Sequence, residues 1–172
     1  MKIIENGMIT DVKGIKATGI SAKLKKSGKK DMALIYSEEK AVSAAVFTKN
    51  LAKAAPIILD IKHIKNENTQ AIVVNSGNAN SCTGDTGLAN ARKMTELVAD
   101  KLGLKAEEVL VQSTGIIGVQ LDMKKIENGI EKVVENLSED GGIDAATAIM
   151  TTDTFVKQIC LEIEIDGKKA KV

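Results

Sequence analysis

Three runs of small polar residues hold most of the chemistry this sequence can offer: Val73–Gly84 (Val-Val-Asn-Ser-Gly-Asn-Ala-Asn-Ser-Cys-Thr-Gly), Val111–Gly118 (Val-Gln-Ser-Thr-Gly-Ile-Ile-Gly) and Ile149–Thr154 (Ile-Met-Thr-Thr-Asp-Thr). Glycines in such runs let the backbone approach a ligand and take positive φ, so that consecutive N–H groups can converge on an anion or a developing oxyanion. Asn amides and Thr hydroxyls add directional donors and acceptors without net charge. The chemistry described is recognition of a small polar substrate, with negative charge stabilised as it develops. Tight turns use the same residues, and Asx turns account for Asn75, Asn78 and Asn80 with no ligand at all. Any one run reads as a turn; three in one chain bring the site and turn readings level.

A nucleophile is harder to find. The one histidine, His63, lies in Asp60-Ile-Lys-His-Ile-Lys65, where Ile61 and Ile64 are the expected buried positions and His63 an exposed one, so a Ser-His-Asp or Cys-His arrangement has no base. The two cysteines, Cys82 and Cys160, show neither metal-ligand nor C-x-x-C spacing. Cys82 reads as a small buried filler beside a loop, and a reducing compartment fits both thiols. Asp153 is either a carboxylate for catalysis or a cap that accepts backbone N–H groups; the neighbouring threonines favour the cap. No Gly-Lys-Ser/Thr follows Val73–Gly84, so it is not a phosphate-cradling loop of that type.

Bulk composition narrows the partners. Lys plus Arg total 24 against 23 Asp plus Glu, which leaves no global field for nucleic acid or an acidic membrane surface. Phe47, Phe155 and Tyr36 are the only aromatics, too few for base stacking. The lysines between Lys23 and Lys30 are followed by Asp31, Glu38 and Glu39 and read as a solvated loop. No apolar run is long enough to span a membrane. A cytoplasmic protein acting on a small molecule or another protein is expected.

The elements that must position these runs follow from periodicity. Strands are expected at 31–37, 43–48, 70–74 and 108–112, the last two buried and central. Between those two, Leu88, Ala91, Met94, Leu97, Val98 and Leu102 recur at helical steps, with Asp85 or Thr86 as N-cap and Gly103 as the stop. A second helix is expected from about Asp122, with Met123, Ile126, Ile130, Val133, Val134 and Leu137 on one face, and a third, short one near Asp144. Ile159, Leu161, Ile163 and Ile165 alternate as a half-buried strand before an Asp166-Gly167 hairpin turn. Pro56 is expected in a loop or at a strand start. The whole reads as one α/β domain over 1–172 whose last hairpin strand stops short, and a continuation that lies elsewhere and a frayed or edited C-terminus account for this equally well.

In order along the chain, Gly14–Ala17, Lys30–Ile35, Ala45–Thr48, Lys53–Pro56, Ile72–Asn80, Cys82–Gly84, Ser113–Gly118 and Ala148–Phe155 closely resemble the glutamate N-acetyltransferase (ornithine acetyltransferase, ArgJ) family of arginine biosynthesis. The resemblance implies a DmpA/ArgJ-like layered α-β-β-α sandwich and a self-cleaving precursor. This chain would be its N-terminal α subunit, and a β subunit, whose new N-terminal threonine is the nucleophile, would complete the fold, in an α2β2 heterotetramer. Thr114 and Gly115 match the family's oxyanion-hole pair, and Thr151 and Thr152 include its substrate-binding threonine, with Thr151 preferred. N-acetylornithine and glutamate are the implied substrates. No metal or organic cofactor is implied. A related self-processing amidase or aminopeptidase, or a non-catalytic small-molecule binding domain, is the alternative.

Overall fold

The computed structural model describes all residues from 1 to 172. In chain order the elements are β1 (Lys2–Ile4), β2 (Ile15–Ile20), β3 (Met32–Ala41), α1 (Ala55–His63), β4 (Thr69–Asn78), α2 (Gly84–Leu102), β5 (Val109–Ile116), α3 (Met123–Glu135), α4 (Gly142–Ala148), β6 (Cys160–Ile165) and β7 (Lys168–Lys171). One sheet has the order β2-β3-β4-β5, antiparallel except for the parallel β4–β5 pair that α2 connects; the other has the order β1-β6-β7.

Alternation along the strands divides the larger sheet into two faces. Met32 and Leu34 of β3, Ala71 and Val73 of β4, and Val109 and Val111 of β5 enter the main core with residues of α1, α2 and α3. Ala33 and Ile35, Ile72 and Val74 point the other way, where Ala145 and Ala148 of α4 pack on them. The amphipathic stripes seen in the sequence are the buried faces: Ala91, Met94 and Val98 of α2, and Ile126, Ile130 and Val133 of α3, are all fully buried. Truncating one of the larger of these, as in Ile130→Ala, costs about 2–5 kcal/mol by transfer and cavity terms together. Thr83 is the N-cap position of α2, two residues before the expected Asp85, and Gly103 stops the helix at φ 69° while Leu104 N–H returns to Ala99 O at 2.8 Å. Asp122 caps α3, its carboxylate accepting the Lys125 N–H at 3.3 Å.

Other local expectations are corrected. Residues 43–48 form no strand, and Val46 is 99% exposed. β3 and β4 already have both neighbours within the sheet, and the segment adds to neither edge strand, β2 or β5. Pro56 begins a helix instead of a loop or strand: it occupies the first turn of α1, where its missing N–H has no helical partner to lose. His63 is buried, while Ile61 and Ile64 are only half-buried. Its Nδ1 lies 2.9 Å from Val109 O, and since a carbonyl only accepts, Nδ1 carries the proton. Cys82 is exposed, in a left-handed residue (φ 56°) just ahead of α2, so it fills no core.

β5 is buried but lies at the edge of its sheet, not at the centre. Helix α1 covers that edge with side chains: Asp60 Oδ1 accepts the Val111 N–H at 3.0 Å, and His63 donates to Val109 O. Two strand-edge backbone groups are thereby satisfied without a fifth strand.

Candidate active site

The first two polar runs are the C-terminal ends of the parallel pair. Register sets Asn75 beside Ser113, Ser76 beside Thr114 and Gly77 beside Gly115. Parallel pairing of α/β strands gathers such ends at one rim, the usual place for a polar pocket. At the rim Gly115 has φ 135°, and a Cβ on it would lie 2.3 Å from the Gly77 carbonyl carbon. Only glycine satisfies both conditions.

The alternation that divides the sheet also sorts the site. Thr114 and Ser76 follow Gln112 and Val74 by twos and so share the face that α4 occupies. There Ser76 Oγ donates to Ala148 O at 2.5 Å, and Lys25 Nζ donates to Met150 O at 2.6 Å, which joins the third polar run to the rim. Asn75 and Ser113 point to the opposite face, where Ser113 Oγ donates to Asn75 Oδ1 at 2.6 Å. Thr114, Ser113 and Ile149 line a cavity of about 430 Å³ together with Phe47, Pro56 and Asp60. Thr114 is half-buried; Gly115, Thr151 and Thr152 are exposed.

The asparagines of the first run serve the loop itself. Asn75 Nδ2 donates to Asn78 O at 2.9 Å, Asn78 Nδ2 to Val119 O at 3.0 Å, and Asn80 Nδ2 to Gly87 O at 2.9 Å. Asn78 Oδ1 accepts the Asn80 N–H at 2.8 Å, an Asx turn. These three residues brace the turn, leaving Ser76, Thr114 and Gly115 at the rim, with the threonines that follow Met150 continuing from a turn tied to it through Ser76 and Lys25. Asp153 does act as a local cap: its carboxylate accepts the Thr151 N–H at 3.5 Å and pairs with Lys157, which holds it below the ordinary carboxylate range. The lysine-rich loop at 23–30 is a connection between β2 and β3, as expected, with Lys25 as the exception that reaches the site.

Asp60 escaped the sequence reading. Burial raises its pKa to about 7, opposed by the Val111 N–H it accepts, so a carboxyl group that titrates near neutrality sits in the wall of the cavity that Thr114 also lines. Pro56, Leu59, Asp60 and His63 share the buried face of α1, a spacing that becomes a signal only once the segment is known to be a helix.

Fold and rim together define a layered α/β sandwich chain with a glycine-containing polar turn at the end of a parallel strand pair. The ArgJ family model matches residues 16–172. The arginine biosynthesis bifunctional protein ArgJ of Caldanaerobacter subterraneus subsp. tengcongensis is 52% identical over 168 residues, 98% of this chain and 41% of that protein. Its mitochondrial counterpart in Dictyostelium discoideum is 48% identical over 166 residues, 95% of this chain and 37% of that protein. Two crystal structures superpose closely: ArgJ of Bacillus halodurans, with TM-score 0.94 at 38% identity over 99% of this chain and 89% of that one, and ornithine acetyltransferase of Mycobacterium tuberculosis complexed with ornithine, with TM-score 0.95 at 36% identity over 99% and 91%. The chain belongs to the ArgJ family. It spans about two fifths of the length of the curated relatives, their N-terminal part.

Proposed function

We propose that this chain is the α subunit of a glutamate N-acetyltransferase, which moves an acetyl group from N2-acetyl-L-ornithine to L-glutamate in cytoplasmic arginine biosynthesis. The observation that carries the reading is the rim of β4 and β5: Thr114 and Gly115 stand in register with Ser76 and Gly77, and Thr114 lines the adjoining cavity, in a chain that belongs to the ArgJ family. Ornithine bound to the M. tuberculosis acetyltransferase supports the choice of substrate.

The nucleophile comes from a β subunit cut from the same precursor, its N-terminal threonine attacking the acetyl carbonyl with its own α-amine as base. Ornithine leaves, and the amine of glutamate then takes the acetyl group from the threonine ester. Each step passes through a tetrahedral oxyanion, toward which the Thr114 hydroxyl and the Gly115 N–H donate. One such donor lowers the barrier by about 3–4 kcal/mol. Thr151, or Thr152 beside it, holds the substrate. No metal or organic cofactor takes part in these steps.

Exposed apolar side chains, with Val46 lining the cavity and Val46, Leu51, Ile116, Ile117 and Phe155 each at least 62% exposed, support a large partner surface, which the β subunit covers in an α2β2 assembly. The test is production of this chain together with the downstream segment that its relatives carry, followed by assay with labelled N-acetylornithine. Labelled N-acetylglutamate is the expected product. Acetate formed equally with and without glutamate would replace the reading with a hydrolase, and failure of the two segments to associate would remove the α-subunit assignment. Acetyl-CoA supplied in place of N-acetylornithine reads whether the same site also starts the pathway.

A further inference from the structure

The loop between β2 and β3 is organised by Asp31, a carboxylate with no exposed surface. Its Oδ1 accepts the Ala22 N–H at 2.6 Å, and its Oδ2 accepts the Leu24 N–H at 2.7 Å and the Lys25 N–H at 2.8 Å. The Asp31 backbone is tied on both sides, its N–H to Ile20 O and its carbonyl to the Ser76 N–H, each at 2.8 Å. The loop is therefore fixed to the residue that stands beside Thr114.

From this anchored loop Lys25 crosses to the exit of α4. Its Nζ donates to Met150 O at 2.6 Å and to Lys30 O at 3.0 Å, and these two backbone carbonyls are its side-chain hydrogen-bond partners. Its stem runs beside Gly77, where an added Cβ would lie 3.1 Å from Lys25 Cγ, and Gly77 is the residue against which Gly115 packs. Burial pulls the Lys25 pKa down, with Asp31 opposing the effect and Lys29 adding to it. Met150 O belongs to the residue immediately before Thr151. The other tie to this turn, Ser76 Oγ to Ala148 O, is a neutral hydroxyl from the same strand end.

We propose that Lys25 is a positioning residue, which holds the Thr151–Thr152 segment against the rim formed by Ser76, Gly77, Thr114 and Gly115 so that substrate binding depends on it. The inference rests on the acetyltransferase reading for its kinetic consequence, though not for its structural one. A hydrogen bond from a charged donor to a carbonyl corresponds to about 10- to 100-fold in an equilibrium constant. In the complex of this chain with the downstream segment, Lys25→Met keeps most of the stem and removes the donor. The KM for N-acetylornithine is expected to rise by about that factor while kcat stays within about threefold of wild type. Lys25→Arg restores a donor and should recover most of the loss.

Hydrogen exchange supplies the second readout: the amides of Ile149 and Met150, which donate to Ala145 O at 3.2 Å and Thr147 O at 3.3 Å in the turn that Lys25 ties, should exchange about 10- to 100-fold faster in Lys25→Met and near the wild-type rate in Lys25→Arg. An unchanged KM with unchanged exchange overturns the proposal, as does a fall in kcat at constant KM. Should the wild-type complex transfer no acetyl group, it is the functional reading that fails, and the exchange rates still decide whether Lys25 holds the segment.

Discussion

Replacing Asp60 with asparagine should make this chain more stable at pH 8 and leave it nearly unchanged at pH 4. Asp60 is 5% exposed, and its pKa is about 7 in the folded chain against 3.8 for an ordinary aspartate. Below the lower value the carboxyl is protonated in both folded and unfolded chains, so its contribution is fully present. Between the two values the folded chain keeps a proton that the unfolded chain has released, and stability falls as pH rises. The difference of about 3 units corresponds to about 4 kcal/mol, lost by the time pH passes 7. The amide of the Asp60→Asn variant would still offer an oxygen to the Val111 N–H but would not ionise, so the variant should escape this loss. The assay is urea unfolding of wild type and Asp60→Asn at pH 4, 6 and 8. The expected result is a gap that opens between pH 4 and 7 and reaches a few kcal/mol. Parallel stability curves for the two proteins would refute the burial argument.

Gly115→Ala places a Cβ 2.3 Å from the Gly77 carbonyl carbon on a backbone of φ 135°, so the β4–β5 rim must open; a loss of about 1–3 kcal/mol in stability is expected by thermal unfolding. In the complex with the downstream segment the same change should lower kcat by about 100-fold or more, because the donor at that position moves. Asp31→Ala leaves the Ala22, Leu24 and Lys25 N–H groups without their acceptor. A loss of about 2–4 kcal/mol is expected by chemical denaturation, with faster exchange confined to the β2–β3 loop and the amides of Ile149 and Met150 at the end of α4.

What was legible in the sequence was what local pattern determines. The β4-α2-β5 unit shows because its strands are continuous apolar runs and its helix keeps a clean stripe from Leu88 to Leu102 with a glycine stop. The Asp166-Gly167 hairpin shows for the same reason. Helix α1 did not, because nine residues with a proline at the start and three isoleucines carry weak helical pattern, and its identity depends on tertiary contacts. Burial of His63 follows from a hydrogen bond to Val109, 46 residues away, which no local window contains. Segment 43–48 alternates like a strand but pairs with neither edge of the sheet, which its local pattern does not reveal. Candidate site residues were visible as types, in the Ser113-Thr114-Gly115 turn and the threonines after Met150. The pairing of the two strand ends and the docking of the turn after α4 were not, since they come from parallel register and from two ties, Ser76 to Ala148 and Lys25 to Met150, that join distant parts of the chain.

The role proposed for Thr114 is tested most directly by the rate at which the threonine of the β subunit becomes acetylated in a single turnover. With N-acetylornithine in excess and glutamate absent, intact mass of the β subunit reports one acetyl group added with time. Thr114→Ala should slow that step by about 100- to 1000-fold, the effect of losing one oxyanion donor, while association of the two subunits is unchanged. Acetylation of the variant at the wild-type rate would contradict the account.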